Sequence, residues 1–133
     1  DSIPYKAPKK PRKIEEKTVL LICSSKKAAI RKRPDQGLLA SLYEFPNTDH
    51  YLTADEVREY LEKEQGVTVE SVEPLGNAKH IFSHVEWHMI GYQIQVDELE
   101  ESCTEDMIFA HPEEIQQRYP IPSAFEKYMK YVI

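Results

Sequence analysis

A chain of 133 residues is one domain's worth: folding at this size removes roughly two-thirds of the extended surface from water, and a second full domain does not fit. With 41% hydrophobic and 30% charged residues, the composition lies outside the low-hydrophobicity, high-charge range of disordered chains. The net charge of −6 conceals an asymmetry, because residues 1–33 carry eleven Lys/Arg against three acids, a local +8, while residues 34–133 hold 6 basic and 20 acidic, or −14.

Residues 1–17 interleave Pro4, Pro8 and Pro11 with lysines, which favours extended backbone and predicts a basic interdomain linker. The chain opens on Asp1 rather than Met, so we expect a piece of a longer protein whose one globular domain here is 18–133. Thr18 to Cys23 is a β-branched, apolar run and predicts a strand buried on both faces. Ser24-Ser25-Lys26 then offers a turn into a second strand, Ala28 to Arg33, with one wet side. Thr53-Ala54-Asp55-Glu56 is a capping box, and the helix it opens gathers Val57, Tyr60 and Leu61 on one face before Gly66 ends it in a left-handed cap. Val67 to Val72 alternates as a strand does. Val85 to Val96 is expected to be the longest strand, with Ile90, Tyr92, Ile94 and Val96 on one face and Trp87 and Met89 on the other. After a short strand, Met107 to Ala110, Pro112 starts a brief helix. Ser123 with Glu126 forms a second capping box for a last helix that packs through Phe125, Tyr128, Met129 and Val132. This order implies an α+β arrangement, a mixed sheet with flanking helices.

No apolar run approaches the roughly 18 residues that span a bilayer, and the N-terminus has no apolar signal core, so the expected location is cytoplasmic, at the nucleoid if bacterial. Cys23 and Cys103 belong to no Cys-x-x-Cys pair. That ligand count rules out a zinc ribbon or an iron–sulfur cluster within this chain, and both thiols are expected reduced and buried, with no metal or cofactor bound.

Two stretches carry a resemblance. Gly37 to Pro46 (Gly-Leu-Leu-Ala-Ser-Leu-Tyr-Glu-Phe-Pro) resembles the strand that leads into the signature helix of Nudix proteins, which implies a Nudix-like mixed sheet flanked by helices. The hydrolase signature itself is broken. Asn47-Thr48 replaces its Gly pair, the loop to Arg58 is short, Lys63 stands where a paired Glu belongs, and Gly66 arrives one residue late. An ammonium in place of a carboxylate reverses a charge in a site meant for Mg²⁺. The second stretch, Lys79 to Trp87, is similar to the Phe-Ser-His loop in the C-terminal domain of MutY-type adenine DNA glycosylases, and the resemblance spans about residues 15–131. It implies that this chain checks for 8-oxoguanine opposite a mispaired adenine in double-stranded DNA. The resemblance further implies that the glycosidic bond is cut by an N-terminal catalytic domain carrying a [4Fe-4S] cluster, so this chain alone is expected to be a non-catalytic monomer.

The chemistry the loop must satisfy can be stated from the base. Oxidation at C8 turns guanine N7 into a donor and adds an acceptor oxygen. Ser83 offers a hydroxyl to accept from N7–H, while His84 or a nearby amide donates to O8, a pairing that discriminates by about fivefold to a hundredfold. Phe82 is read as a wedge beside the lesion. Lys79 and His80 flank it, and Lys26, Lys27, Arg31, Lys32 and Arg33 are candidate phosphate contacts. His80, His84 and His88 recur every four residues, but in strand-like sequence this is not read as a metal site. Two alternatives stand beside this reading. One is a divergent Nudix hydrolase of oxidised nucleotides using Glu59 and Glu62, and the other is a module that binds a repair protein.

Overall fold

The structure, a computed structural model, describes residues 11–97 and 107–132. Among the described residues, seven strands and three helices follow in the order β1 (Lys13–Ser24), β2 (Lys27–Lys32), β3 (Tyr43–Glu44), β4 (Asn47–Asp49), α1 (Ala54–Glu64), β5 (Val69–Ile81), β6 (Val85–Val96), β7 (Ile108–Ala110), α2 (Pro112–Arg118), a 3-10 turn (Ser123–Phe125) and α3 (Glu126–Met129). The sheet runs β3-β2-β1-β6-β5, with β4 on β1 and β7 on β2. It is mixed, because β1 and β6 run parallel from Lys13↔Val85 to Cys23↔Gln95 while the other pairs are antiparallel.

The two-residue period of a strand sends alternate side chains to opposite faces, and both faces are covered. On one, Leu20, Ile22, Ile94 and Val96 pack against Val57 and Leu61 of α1. On the other, Val19, Leu21, Trp87 and Met89 pack against Ile115 of α2, Phe125 of the 3-10 turn and Tyr128 of α3. The expected split of β6 holds. The capping box of α1 is present in both directions, Glu56 N–H to Thr53 Oγ1 at 3.2 Å and Thr53 N–H to Glu56 Oε1 at 2.9 Å, and Gly66 adopts φ +66° just past the helix. A two-residue turn at Ser25 and Lys26, both left-handed (φ 49° and 67°), closes the β1–β2 hairpin, as the right-handed twist of paired strands requires.

Four local expectations need correction. Residues 13–17, read as the end of the linker, are instead the first part of β1. They lie along β6 from Lys13↔Val85 to Lys17↔Met89, so pairing across the sheet overrides their polar composition. The strand expected over Val67 to Val72 extends to Ile81, and at 13 residues β5 rather than the 12-residue β6 is the longest. A register shift between Leu75 and Ala78 lets it continue past Pro74 and Gly76. β2 has no wet side over its middle, since Ala29 is buried under the α1 face and Ile30 under the other. No capping box opens the last helix: the 3-10 turn begins after Pro122 without a side-chain cap, and α3 starts only at Glu126. Cys23 is half-buried and burial pushes its thiol pKa up, while Cys103 lies outside the described residues.

Candidate nucleic-acid interface

β5 and β6 turn back on each other at Phe82, Ser83 and His84. The turn is closed by Phe82 N–H donating to the Val85 carbonyl at 2.8 Å, and Lys13 N–H ties it to β1 by donating to the His84 carbonyl at 3.1 Å. Ser83 and His84 are exposed at the tip, and nothing among the described residues engages the Ser83 hydroxyl. A polar group left solvated in this way can exchange water for another partner at small cost.

Phe82 is half-buried. Its ring meets His80 at a centroid distance of 4.7 Å and Trp87 at 5.0 Å, both edge-on, and Trp87 continues to Phe125 at 5.8 Å. The aromatic of the turn is thus a link in a chain of rings that runs from His80 through Phe82 to Trp87 and Phe125 in the core. Trp87 is buried, and its indole N–H donates to Glu15 Oε1 at 3.2 Å. Lys17 Nζ lies 5.0 Å from its centroid and the Arg33 guanidinium 5.2 Å, positions where the negative face of the indole attracts a cation.

The five basic residues expected to contact phosphates do not lie on one surface. Lys26 and Lys27 sit at the far end of β1, about 33 Å from the turn at about 3.3 Å per residue. Arg31 and Arg33 point at a buried acid instead of outward. Glu44, 3% exposed, accepts from Arg31 Nε at 2.8 Å, from Arg33 Nη1 at 2.6 Å and from Asn47 Nδ2 at 3.0 Å, so its charge is neutralised where water cannot do it. Lys32 is exposed and lies 3.7 Å from Asp35.

The basic residues that do stand near the turn were partly missed. On the face opposite Phe82, Glu86 gathers Arg12 (3.1 Å), His88 (3.1 Å) and Lys79 (3.4 Å). The His88 hydrogen bond, followed by those of Arg12 and Lys79, holds its carboxyl well below the usual glutamate range, at about 2. Strand parity separates the spaced histidines: His80 pairs with Trp87 and shares its face, His84 is in the turn, and His88 pairs with Lys79 on the other face. No sequence signal marked Arg12 or Glu86, because their meeting depends on the parallel register of β1 and β6. Beside the turn a cleft of about 700 Å³ opens, lined among others by Ala78, Lys79, His80, Met89, Ser123 and Lys127.

The helix that would carry metal-binding carboxylates does not gather them into a cluster with other ligands among the described residues. Glu59 is held by Lys63 at 2.7 Å across one helical turn, Glu62 is exposed beside it, and no group of three His, Cys, Asp or Glu among the described residues is placed to hold a metal. Arg58 is used structurally, donating to the Val69 carbonyl at 2.8 Å. The donor set therefore does not fit the Mg²⁺ that a pyrophosphohydrolase requires. No helix among the described residues is long and apolar enough to cross a membrane.

A family model described as a NUDIX domain matches residues 18–131. Among solved structures, the C-terminal domain of mouse MUTYH, crystallised with human PCNA, superimposes with a TM-score of 0.70 at 20% identity, covering 88% of this chain and 87% of that one. A MutT NUDIX hydrolase from Burkholderia pseudomallei gives 0.66 at 16% identity over 92% and 100%. The MutT protein of Bacillus halodurans gives 0.61 at 15% over 89% and 81%.

Proposed function

Since the chain belongs to the NUDIX domain family, yet its signature helix lacks a usable set of metal ligands, we propose that it is the lesion-recognition domain of a MutY-type adenine DNA glycosylase. It reads 8-oxoguanine opposite the mispaired adenine and positions a catalytic domain elsewhere in the same protein. The observation that carries this reading is the exposure of Ser83 and His84 at the tip of the β5–β6 hairpin, with Phe82 braced beneath them. At that tip a hydroxyl accepts from N7–H of the oxidised base, and an imidazole or amide donates to O8. Unmodified guanine offers an acceptor at N7 and nothing at C8, so one contact is lost and the other must be reversed. Lys13, Lys79 and Arg12 border the same hairpin and, unlike Arg31 and Arg33, pair with Glu15 and Glu86 at the surface, where they can turn to a phosphate, whereas Lys26 and Lys27 are too distant to share that footprint.

The test is a titration of the chain, and of the glycosylase that contains it, against duplexes differing only at C8 of the guanine opposite adenine. Ser83→Ala is expected to reduce the preference for the oxidised duplex by about fivefold or more. An unchanged ratio removes the recognition role. A second reading, a protein-binding module, draws on the mouse domain having been crystallised with human PCNA. Pull-down of a repair protein that persists after the DNA is digested would favour it.

A further inference from the structure

Arg33 makes three contacts at once. Its Nη1 donates to Glu44 Oε1 at 2.6 Å, its Nε donates to the Leu38 carbonyl at 3.1 Å, and its guanidinium lies against the Trp87 ring. Leu38 belongs to the 34–42 loop, where Leu39 and Ser41 both hold left-handed backbone at φ 55° and 63°. Side-chain-bearing residues hold that conformation only when their surroundings impose it. Here the loop is tied by Ser41 N–H to the Pro34 carbonyl at 2.9 Å, by Ser41 Oγ to Asp35 Oδ1 at 3.0 Å, and by Arg33. Trp87, the other neighbour of Arg33, is the ring on which Phe82 rests. One guanidinium therefore touches the loop of the first motif stretch and the aromatic floor of the second.

We propose that Arg33 is a positioning residue that ties the 34–42 loop to the Phe82–His84 turn through Trp87, so that base preference at the turn depends on its planar fork and not on its charge. The proposal rests on reading that turn as a base-recognition element. The fork supplies two divergent N–H donors, one to a carboxylate and one to a carbonyl, while its flat face lies on an indole; a lysine ammonium has no such plane, and its three donors radiate from a single nitrogen that cannot span both acceptors while lying flat on the ring. With its side chain only 15% exposed and its donors directed inward, Arg33 is poorly placed to contact a phosphate.

Arg33→Lys and Arg33→Met chains separate the alternatives. In the free chain, both substitutions are expected to shift the amide resonances of Ser83 and His84. In titrations, both should lower the preference for 8-oxoguanine over guanine by about fivefold or more. The dependence of affinity on salt should keep its slope. A phosphate contact predicts the reverse: Arg33→Lys behaves as wild type, and Arg33→Met flattens the slope of log affinity against log salt by about 0.9, which overturns the proposal. Unmoved Ser83 and His84 resonances, with only a lower melting temperature, also overturn it by showing a purely structural role. If Arg33→Met does not fold, Arg33→Lys decides the matter alone. A wild-type chain with no lesion preference defeats the recognition reading, and the amide comparison then still decides whether Arg33 sets the turn.

Discussion

Tyr128 lies so close against Gly91 that a β-carbon added to the glycine would stand 2.4 Å from Tyr128 Cε1. The tyrosine is held there from its other end, where its hydroxyl donates to the Gly76 carbonyl at 3.0 Å, and burial pushes its pKa up to about 12. Gly91 is thus what lets α3 settle onto β6. Gly91→Ala should destabilise the fold by about 1 to 3 kcal/mol through overpacking, read as a lower urea midpoint. An unmoved midpoint would mean that α3 is free to shift.

Trp87 is the one tryptophan in the sequence, so its emission reports on the contact beneath the turn. Phe82→Ala removes an edge-on neighbour and opens the indole to water. Emission should move to longer wavelength and stability should fall by about 2 kcal/mol. Unchanged emission would place Phe82 away from Trp87 in solution.

Glu86 connects stability to acidity. Its folded-state pKa, about 2, lies below the ordinary value of 4.5 because of His88, and then Arg12 and Lys79. Between those pH values the unfolded chain takes up the proton that the folded chain refuses, so stability present above pH 4.5 drains away as pH falls towards 2. Glu86→Gln should flatten that part of the acid-unfolding profile. A mutant profile with the wild-type slope would mean that the cluster does not hold in solution.

Thr53 caps α1 in both directions. Thr53→Ala should cost about 1 kcal/mol in denaturant unfolding, since it leaves a first-turn amide without its acceptor. A loss below a few tenths of that would show that water replaces the hydroxyl without penalty.

With Glu59 paired to Lys63, millimolar Mg²⁺ should leave the melting temperature where it is, because an ion that binds the folded chain weakly cannot stabilise it. A rise with Mg²⁺ that disappears in Glu62→Gln, accompanied by pyrophosphate release from nucleotides, would restore the hydrolase reading.

Much of the scaffold was legible because its signals are local. The Thr53–Glu56 box, Gly66 and the alternation of β6 each depend on residues within one element, and their periodicity alone assigns Trp87 and Ile94 to opposite faces. Segment ends were less legible. Residues 13–17 are too polar to announce a strand, and their place is settled by a parallel partner more than 70 positions away in the chain. At the candidate site, the sequence picked out the Phe82–Ser83–His84 turn but treated five basic residues as a unit. The structure divides them: Lys26 and Lys27 lie at a distant hairpin, Arg31 and Arg33 turn to a buried acid, and Lys32 is exposed beside Asp35.

By itself, then, the sequence determined which residues alternate, which cap and which turn, since these follow from backbone geometry over a few positions. It also specified, through Lys63, that the signature helix is chemically altered. Tertiary structure alone decided what the charges do. A guanidinium near a phosphate and one locked on Glu44 look the same in a sequence, and only burial of that carboxylate, where water cannot solvate it, draws Arg31 and Arg33 inward.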